Sequence, residues 1–125
     1  MTALTIRSVD LHYGAAQALK SITIEAKPRR ITAVLGRNGV GKSSTLRAVT
    51  GINHVSSGEI AFDNDVLKKA PLYKRARMGI GYVPQGREIF PLLTVRENLE
   101  TGYAGLKPAD RNVPTYIFDL FPVLK

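Results

Sequence analysis

Residues Gly36-Arg37-Asn38-Gly39-Val40-Gly41-Lys42-Ser43 fit the pattern G-x-x-x-x-G-K-[ST] at every fixed position, and they follow directly on the apolar run Ile31-Thr32-Ala33-Val34-Leu35. No other feature constrains the fold as tightly, because the pattern works only as a buried strand, a tight glycine loop and a helix, in that order. The run at 31–35 ends at glycine, as a fully buried strand of a parallel sheet would. Lys42 to Val49 suits the helix, with Leu46 and Val49 three apart on one face and Gly51 placed to stop it.

Each position of the loop has a physical task. Glycines let the backbone curl with its N–H groups inward, and the new helix turns its free N–H groups and positive dipole end to the same spot. A polyphosphate fits such a nest, held by the loop from Gly36 through Arg37, Asn38, Gly39, Val40 and Gly41. Lys42 would neutralise the β- and γ-phosphates, Ser43 would offer a hydroxyl to Mg²⁺, and Ser44 could donate to the α-phosphate. Binding follows from these groups, whereas hydrolysis does not.

The remaining composition narrows the class. At 125 residues, 44% apolar and 22% charged, the chain is one compact soluble domain or a piece of one. It has no cysteine, so disulfides, thiolate zinc sites and a cysteine nucleophile are excluded, and His12 and His54 lack metal-ligand spacing. Neither a signal-type start nor a run of about 18 apolar residues is present, so no membrane-spanning segment is expected. The formal charge is +8, with basic residues scattered as Lys27, Arg29 and Arg30, Lys68 and Lys69, and Lys74, Arg75 and Arg77. Without interleaved aromatics they read as a solvated basic face, not as a nucleic-acid platform.

Along the rest of the chain, Leu4 to Val9 and Leu19 to Glu25 alternate as half-buried antiparallel strands, with a turn at Tyr13-Gly14. Gly58 to Phe62 and Gly79 to Val83 read as further strands, separated by a basic helical stretch opened by Pro71. Thr94 with Glu97 forms a capping-box pattern for a helix through about Tyr103. A last helix is predicted from about Pro108, because Ile117, Leu120, Phe121 and Leu124 share one face.

Three segments together resemble one family. Leu11-His12-Tyr13-Gly14, the loop Gly36 to Ser43, and Tyr82-Val83-Pro84-Gln85-Gly86-Arg87-Glu88-Ile89-Phe90-Pro91 are similar, in order and spacing, to the first half of an ABC transporter ATP-binding subunit. Within that group the chain looks like the branched-chain amino acid and urea uptake subunits. The pairing of the loop with Val83 to Phe90 leans towards the urea type.

The resemblance covers essentially all 125 residues. It implies an α/β fold: the N-terminal part of a P-loop ABC ATPase core, with an antiparallel β subdomain and the start of a helical subdomain. Residues 1–125 would be the N-terminal portion of one ATP-binding domain.

The same resemblance implies the ligand, ATP with Mg²⁺, and several residue roles. Tyr13 matches the aromatic position that stacks on adenine. Gln85 matches the glutamine that reaches Mg²⁺ and the attacking water, so Lys42 and Gln85 are the catalytic candidates here, and Ser43 and Gln85 the metal ligands. The expected partners are a second ATP-binding subunit in a head-to-tail dimer, transmembrane permease subunits, and indirectly an external solute-binding protein. The expected location is cytoplasmic, peripheral on the inner face of the membrane. Among Ile89, Phe90, Pro91, Leu92 and Leu93, some residues would line the groove for a permease coupling helix and others the core.

Residues that the family needs for hydrolysis are not found. An acidic pair at the end of a second buried strand, a Ser-Gly-Gly signature and a switch histidine are all missing. Asp63 and Asp119 mimic the acidic strand end, but Asn64 and Leu120 follow where a catalytic Glu belongs. The sheet is therefore expected to have exposed edges that invite self-association or domain swapping. Two other readings are a nucleotide-binding module without turnover and an ABC-type ATPase acting on DNA. A small-molecule kinase or GTPase is disfavoured, since no Asn-Lys-x-Asp motif occurs.

Overall fold

A computed structural model of the chain describes residues 4–86 and 88–125. It divides into two compact units, one reaching to Arg75 and one beginning at Ala76. The first is built on a four-stranded antiparallel sheet of order β2-β1-β3-β4, where β1 is Leu4–Tyr13, β2 Ala16–Ala26, β3 Ser57–Phe62 and β4 Asp65–Val66. The expected opening strands are thus present and longer than their alternating segments, joined by a turn at Gly14.

Their length depends on two irregularities. Strict alternation would send Ile6 and Val9 to opposite faces, yet both are buried, with Leu11. Ser8 has a φ of 47°, the pairing with β2 shifts between Ile6 and Val9, and one extra residue resets the parity. Ser21 in β2 has a φ of 46°, and its N–H donates to the Asp10 carboxylate at 2.7 Å. That carboxylate also accepts from Ser57 Oγ at 2.7 Å, so Asp10 joins β1 to both neighbours.

Helix α1, Lys42–Thr50, follows the glycine loop and closes at Gly51, whose N–H bonds back to the Ala48 and Arg47 carbonyls. Its buried residues are Thr45, Ala48, Val49 and Thr50, while Leu46 is exposed, so the expected Leu46–Val49 face is corrected to one centred on Ala48 and Val49. The core of this unit collects these residues with Ile6, Val9, Leu11, Leu19, Ile60 and Leu67. Helix α2, Leu72–Arg77, begins after Pro71, as the sequence predicts.

Two predicted strands are not formed. Residues 31–37 carry no regular structure, and Ile31 is 99% and Leu35 88% exposed. The segment 79–83 is likewise irregular, with Val83 90% exposed. A buried parallel strand needs hydrogen-bonded neighbours at both edges and cover on both faces. Among the described residues, nothing pairs with either segment.

In the second unit Thr94 caps α3, Val95–Glu100, through a complete capping box: Glu97 N–H donates to Thr94 Oγ1, and Thr94 N–H to Glu97 Oε2 at 2.7 Å. The helix is shorter than expected and tightens into a 3₁₀ turn, Thr101–Gly105. The predicted last helix survives as α4, Tyr116–Leu120, between the short 3₁₀ turns Pro108–Asp110 and Pro122–Leu124. Leu120 and Phe121 are more than half exposed, so the apolar face is only partly used.

Candidate functional site: the phosphate loop and its helix

The loop enters α1 through Gly41, the helix N-cap, at a φ of 99°. A Cβ there would lie 2.6 Å from Leu19 Cδ2 and 2.8 Å from the Ala18 carbonyl oxygen, so the backbone passes β2 at a distance only glycine permits. That contact seats the N-terminus of α1 against the sheet. The Thr45 N–H and hydroxyl both donate to the Gly41 carbonyl at 2.9 Å, starting the helical ladder.

The N–H groups ahead of Thr45 have no intrahelical acceptor. Helices usually satisfy them with a side-chain cap or an acidic first turn. Here Gly41 makes no side-chain cap and the first turn holds no acid. Lys42 bends back over the loop, its ammonium donating to the carbonyls of Gly36 at 2.7 Å and Arg37 at 2.6 Å. A lysine held over uncapped amides is a donor set that suits a polyphosphate.

Tyr13 ends β1 beside this junction. Its hydroxyl lies 3.1 Å from Ser44 Oγ and accepts from Asn53 Nδ2 at 2.5 Å, and the side chain is 47% exposed. The structure therefore brings Tyr13, Ser44 and the loop into one place, and adds Asn53, which no sequence pattern singled out. Ser43 is exposed in the first turn of α1. Gln85 belongs to the second unit and is exposed at a bend before Gly86; Arg87 in the same motif lies outside the described residues.

The segment after Gln85 has its own organisation. Asn98 on α3 accepts from the Phe90 N–H at 2.9 Å and donates through Nδ2 to the carbonyls of Phe90, Leu93 and Thr94. This pins an apolar groove of about 510 Å³ lined by Ile89, Phe90, Leu93, Val95, Leu99 and Leu124. Ile89, Phe90, Leu92 and Leu93 are exposed, so the patch is surface and its core reading is corrected.

Arg75 also departs from expectation. Read as part of a solvated basic face, it is instead only 5% exposed, and burial depresses its pKa. Asp63 sits in the tight turn between β3 and β4, and Asp119 in α4; neither ends a parallel strand. Among the described residues no cluster of three or more His, Asp or Glu could hold a metal, and no helix is long and apolar enough to cross a membrane.

The model of the ABC transporter family matches residues 19–120. The chain belongs to the ABC transporter ATP-binding family. It is 36% identical over 123 residues to the high-affinity branched-chain amino acid transport ATP-binding protein BraG of Pseudomonas aeruginosa, covering 98% of this chain and 53% of BraG. It is 33% identical to a probable branched-chain amino acid transport ATP-binding protein, LivF, of Archaeoglobus fulgidus, covering 96% and 52%. The lipopolysaccharide export ATP-binding protein LptB of Escherichia coli K12 is 36% identical over 99 residues, covering 79% and 41%.

Solved ATP-binding cassettes share the fold at 24% identity. A cassette of an ABC transporter superposes with a TM-score of 0.75 over 99% of this chain and 53% of its own. A dimeric cassette in a post-hydrolysis state bound to ADP and Pi superposes with a TM-score of 0.74 over 84% and 48%. The α/β reading, the N-terminal part of an ABC cassette with its antiparallel sheet, therefore stands. The chain spans about half the length of the curated relatives it matches.

Proposed function

We propose that the chain is the nucleotide-binding half of the ATP-binding subunit of an ABC importer, taking Mg-ATP in the loop Gly36 to Ser44. The observation that carries this reading is Lys42 folded over a helix N-terminus that has neither a side-chain cap nor an acid. When bound, Mg-ATP would supply the γ-phosphoryl group, whose transfer to water with cleavage of the β–γ anhydride and departure of ADP would drive transport. On this chain Lys42 and the loop amides of residues 36–41 hold and neutralise phosphate, and Ser43 offers the metal a hydroxyl. Ser44 would donate to the α-phosphate and Tyr13 would stack on the adenine, and the resemblance assigns Gln85 to the metal and water.

Residues 1–125 would form the N-terminal portion of one ATP-binding domain. The remaining portion would supply the acidic pair, the Ser-Gly-Gly signature and the switch histidine, and its strands would pair with 31–35 and 79–83. The bare state of those two segments supports this division, as does a length about half that of the relatives. Unpaired, they favour self-association of the chain. The whole protein would act as a head-to-tail dimer on the inner face of the membrane, with permease subunits and, through them, an external solute-binding protein.

The relatives BraG and LivF support a branched-chain amino acid as solute, and the segment Val83 to Phe90 supports urea. Uptake of labelled leucine and labelled urea by vesicles holding the assembled importer separates them: ATP-dependent accumulation of one identifies the solute, and of neither refutes the importer reading. The groove at Ile89, Phe90 and Leu93 would receive a permease coupling helix. Phe90→Asp is expected to abolish co-purification with the permease while Mg-ATP binding is kept; unchanged co-purification would refute that docking site.

A further inference from the structure

The side chain of Arg75 presents its planar fork to four backbone carbonyls. Nε donates to Ala70 at 2.7 Å, Nη1 to Ala48 and Val49 at 2.8 Å each, and Nη2 to Leu67 at 2.7 Å. All four acceptors are neutral, which is an unusual environment for a buried cation. Two of them, Ala48 and Val49, belong to the last turn of α1, where carbonyls have lost their regular i+4 partners, Ala48 keeping only the 3.3 Å bond from the Gly51 N–H, and the dipole is negative. The other two belong to the segment leading into α2. Gly51 leaves room for the guanidinium, since a Cβ there would lie 2.9 Å from Arg75 Nε.

Helix α1 is therefore held at two ends. Its N-terminus is seated by Gly41 against Ala18 and Leu19, and its C-terminus by Arg75. Between them lie nine residues, about 13 Å of helix. With the N-terminal seat as pivot, a 1 Å slip at the Arg75 end turns the axis by about 4° and carries the Lys42 ammonium through about half an ångström. Sites that align charged groups on a ligand tolerate about that much error.

We infer that Arg75 is a positioning residue for the phosphate loop, fixing the axis of α1 so that its amide end and Lys42 meet the phosphates in register. This rests on the reading of the loop as a Mg-ATP site. A lysine cannot replace it, because one rotatable ammonium cannot hold four carbonyls in a plane.

The test compares Arg75→Met and Arg75→Lys with Val9→Ala, a destabilising change in the buried face of β1, at a residue that takes part in neither the Gly41 seat nor the Arg75 bonds. Mg-ATP titration and amide hydrogen exchange over residues 42–51 are read on each. Arg75→Met is expected to weaken Mg-ATP at least tenfold and to speed exchange across 45–51, and Arg75→Lys to recover little of either. Val9→Ala should lower Tm with affinity kept within twofold.

Arg75→Lys or a folded Arg75→Met with wild-type protection and affinity would overturn the inference. So would a loss of affinity in Val9→Ala that matches its loss of Tm. If Arg75→Met does not fold, Arg75→Lys decides. A wild-type chain that fails to bind Mg-ATP overturns the nucleotide reading alone, and the exchange comparison still decides what Arg75 holds.

Discussion

Replacing Gly41 by alanine measures how tightly the loop is pressed against the sheet. Two costs add. An L-residue at a φ of 99° carries left-handed strain of about 1–2 kcal/mol. The new methyl would also sit 2.6 Å from Leu19 Cδ2 and 2.8 Å from the Ala18 carbonyl. Leu19 is buried and Ala18 is backbone of β2, so relief requires moving the strand, at about 1–3 kcal/mol. The sum is about 3 kcal/mol.

Gly39 is the internal control. Its φ is 84°, but a Cβ there meets nothing within 4 Å, so Gly39→Ala carries the strain alone, about 1 kcal/mol. Chemical unfolding followed by circular dichroism should place the two variants about 2 kcal/mol apart, and thermal melts should separate them by roughly 10 °C. Equal stabilities within about 0.5 kcal/mol would refute the claim that Gly41 seats α1 on β2.

Two further predictions follow from the same unit. The Ser57 hydroxyl and then the Ser21 N–H hold the Asp10 carboxyl below its ordinary pKa. A lowered folded pKa gives stability that is complete above the unfolded value, about 3.9, and is lost as pH falls through the folded one. Asp10→Asn should therefore flatten the acid limb of Tm against pH below about pH 4, and an unchanged limb would count against the bonds of Asp10. Tyr13→Phe, which frees Ser44 and Asn53 but keeps the ring, should change Mg-ATP affinity less than threefold, whereas Tyr13→Ala should weaken it about tenfold. Equal losses would assign the role of Tyr13 to its hydroxyl.

Short-range signals in the sequence proved reliable where one residue type answers one local need. The loop and its helix, the stop at Gly51 and the reciprocal Thr94–Glu97 cap were all legible. Patterns whose meaning depends on distant partners were not. Ile31 to Leu35 reads as a buried strand because its apolarity is suited to neighbours that the described residues do not provide. Leu46 and Val49 share a helical spacing, but only packing against the sheet decides which side of α1 is buried. Arg75 looks like Lys74 and Arg77 beside it, and nothing in its type reveals that four carbonyls converge on it. The parity change at Ser8 was hidden for a related reason, since a bulge is read from its partner strand.

The most direct test of the central claim is calorimetric titration of the chain with Mg-ATP, wild type beside Lys42→Ala, with phosphate release followed in parallel. The structure predicts saturable binding in the wild type, at least a tenfold loss in Lys42→Ala, and no sustained phosphate release. Absence of binding in a folded wild-type chain, or equal affinity in Lys42→Ala, would contradict the assignment of Gly36 to Ser44 as the nucleotide site. Robust turnover would contradict the account of the acidic residues that hydrolysis needs.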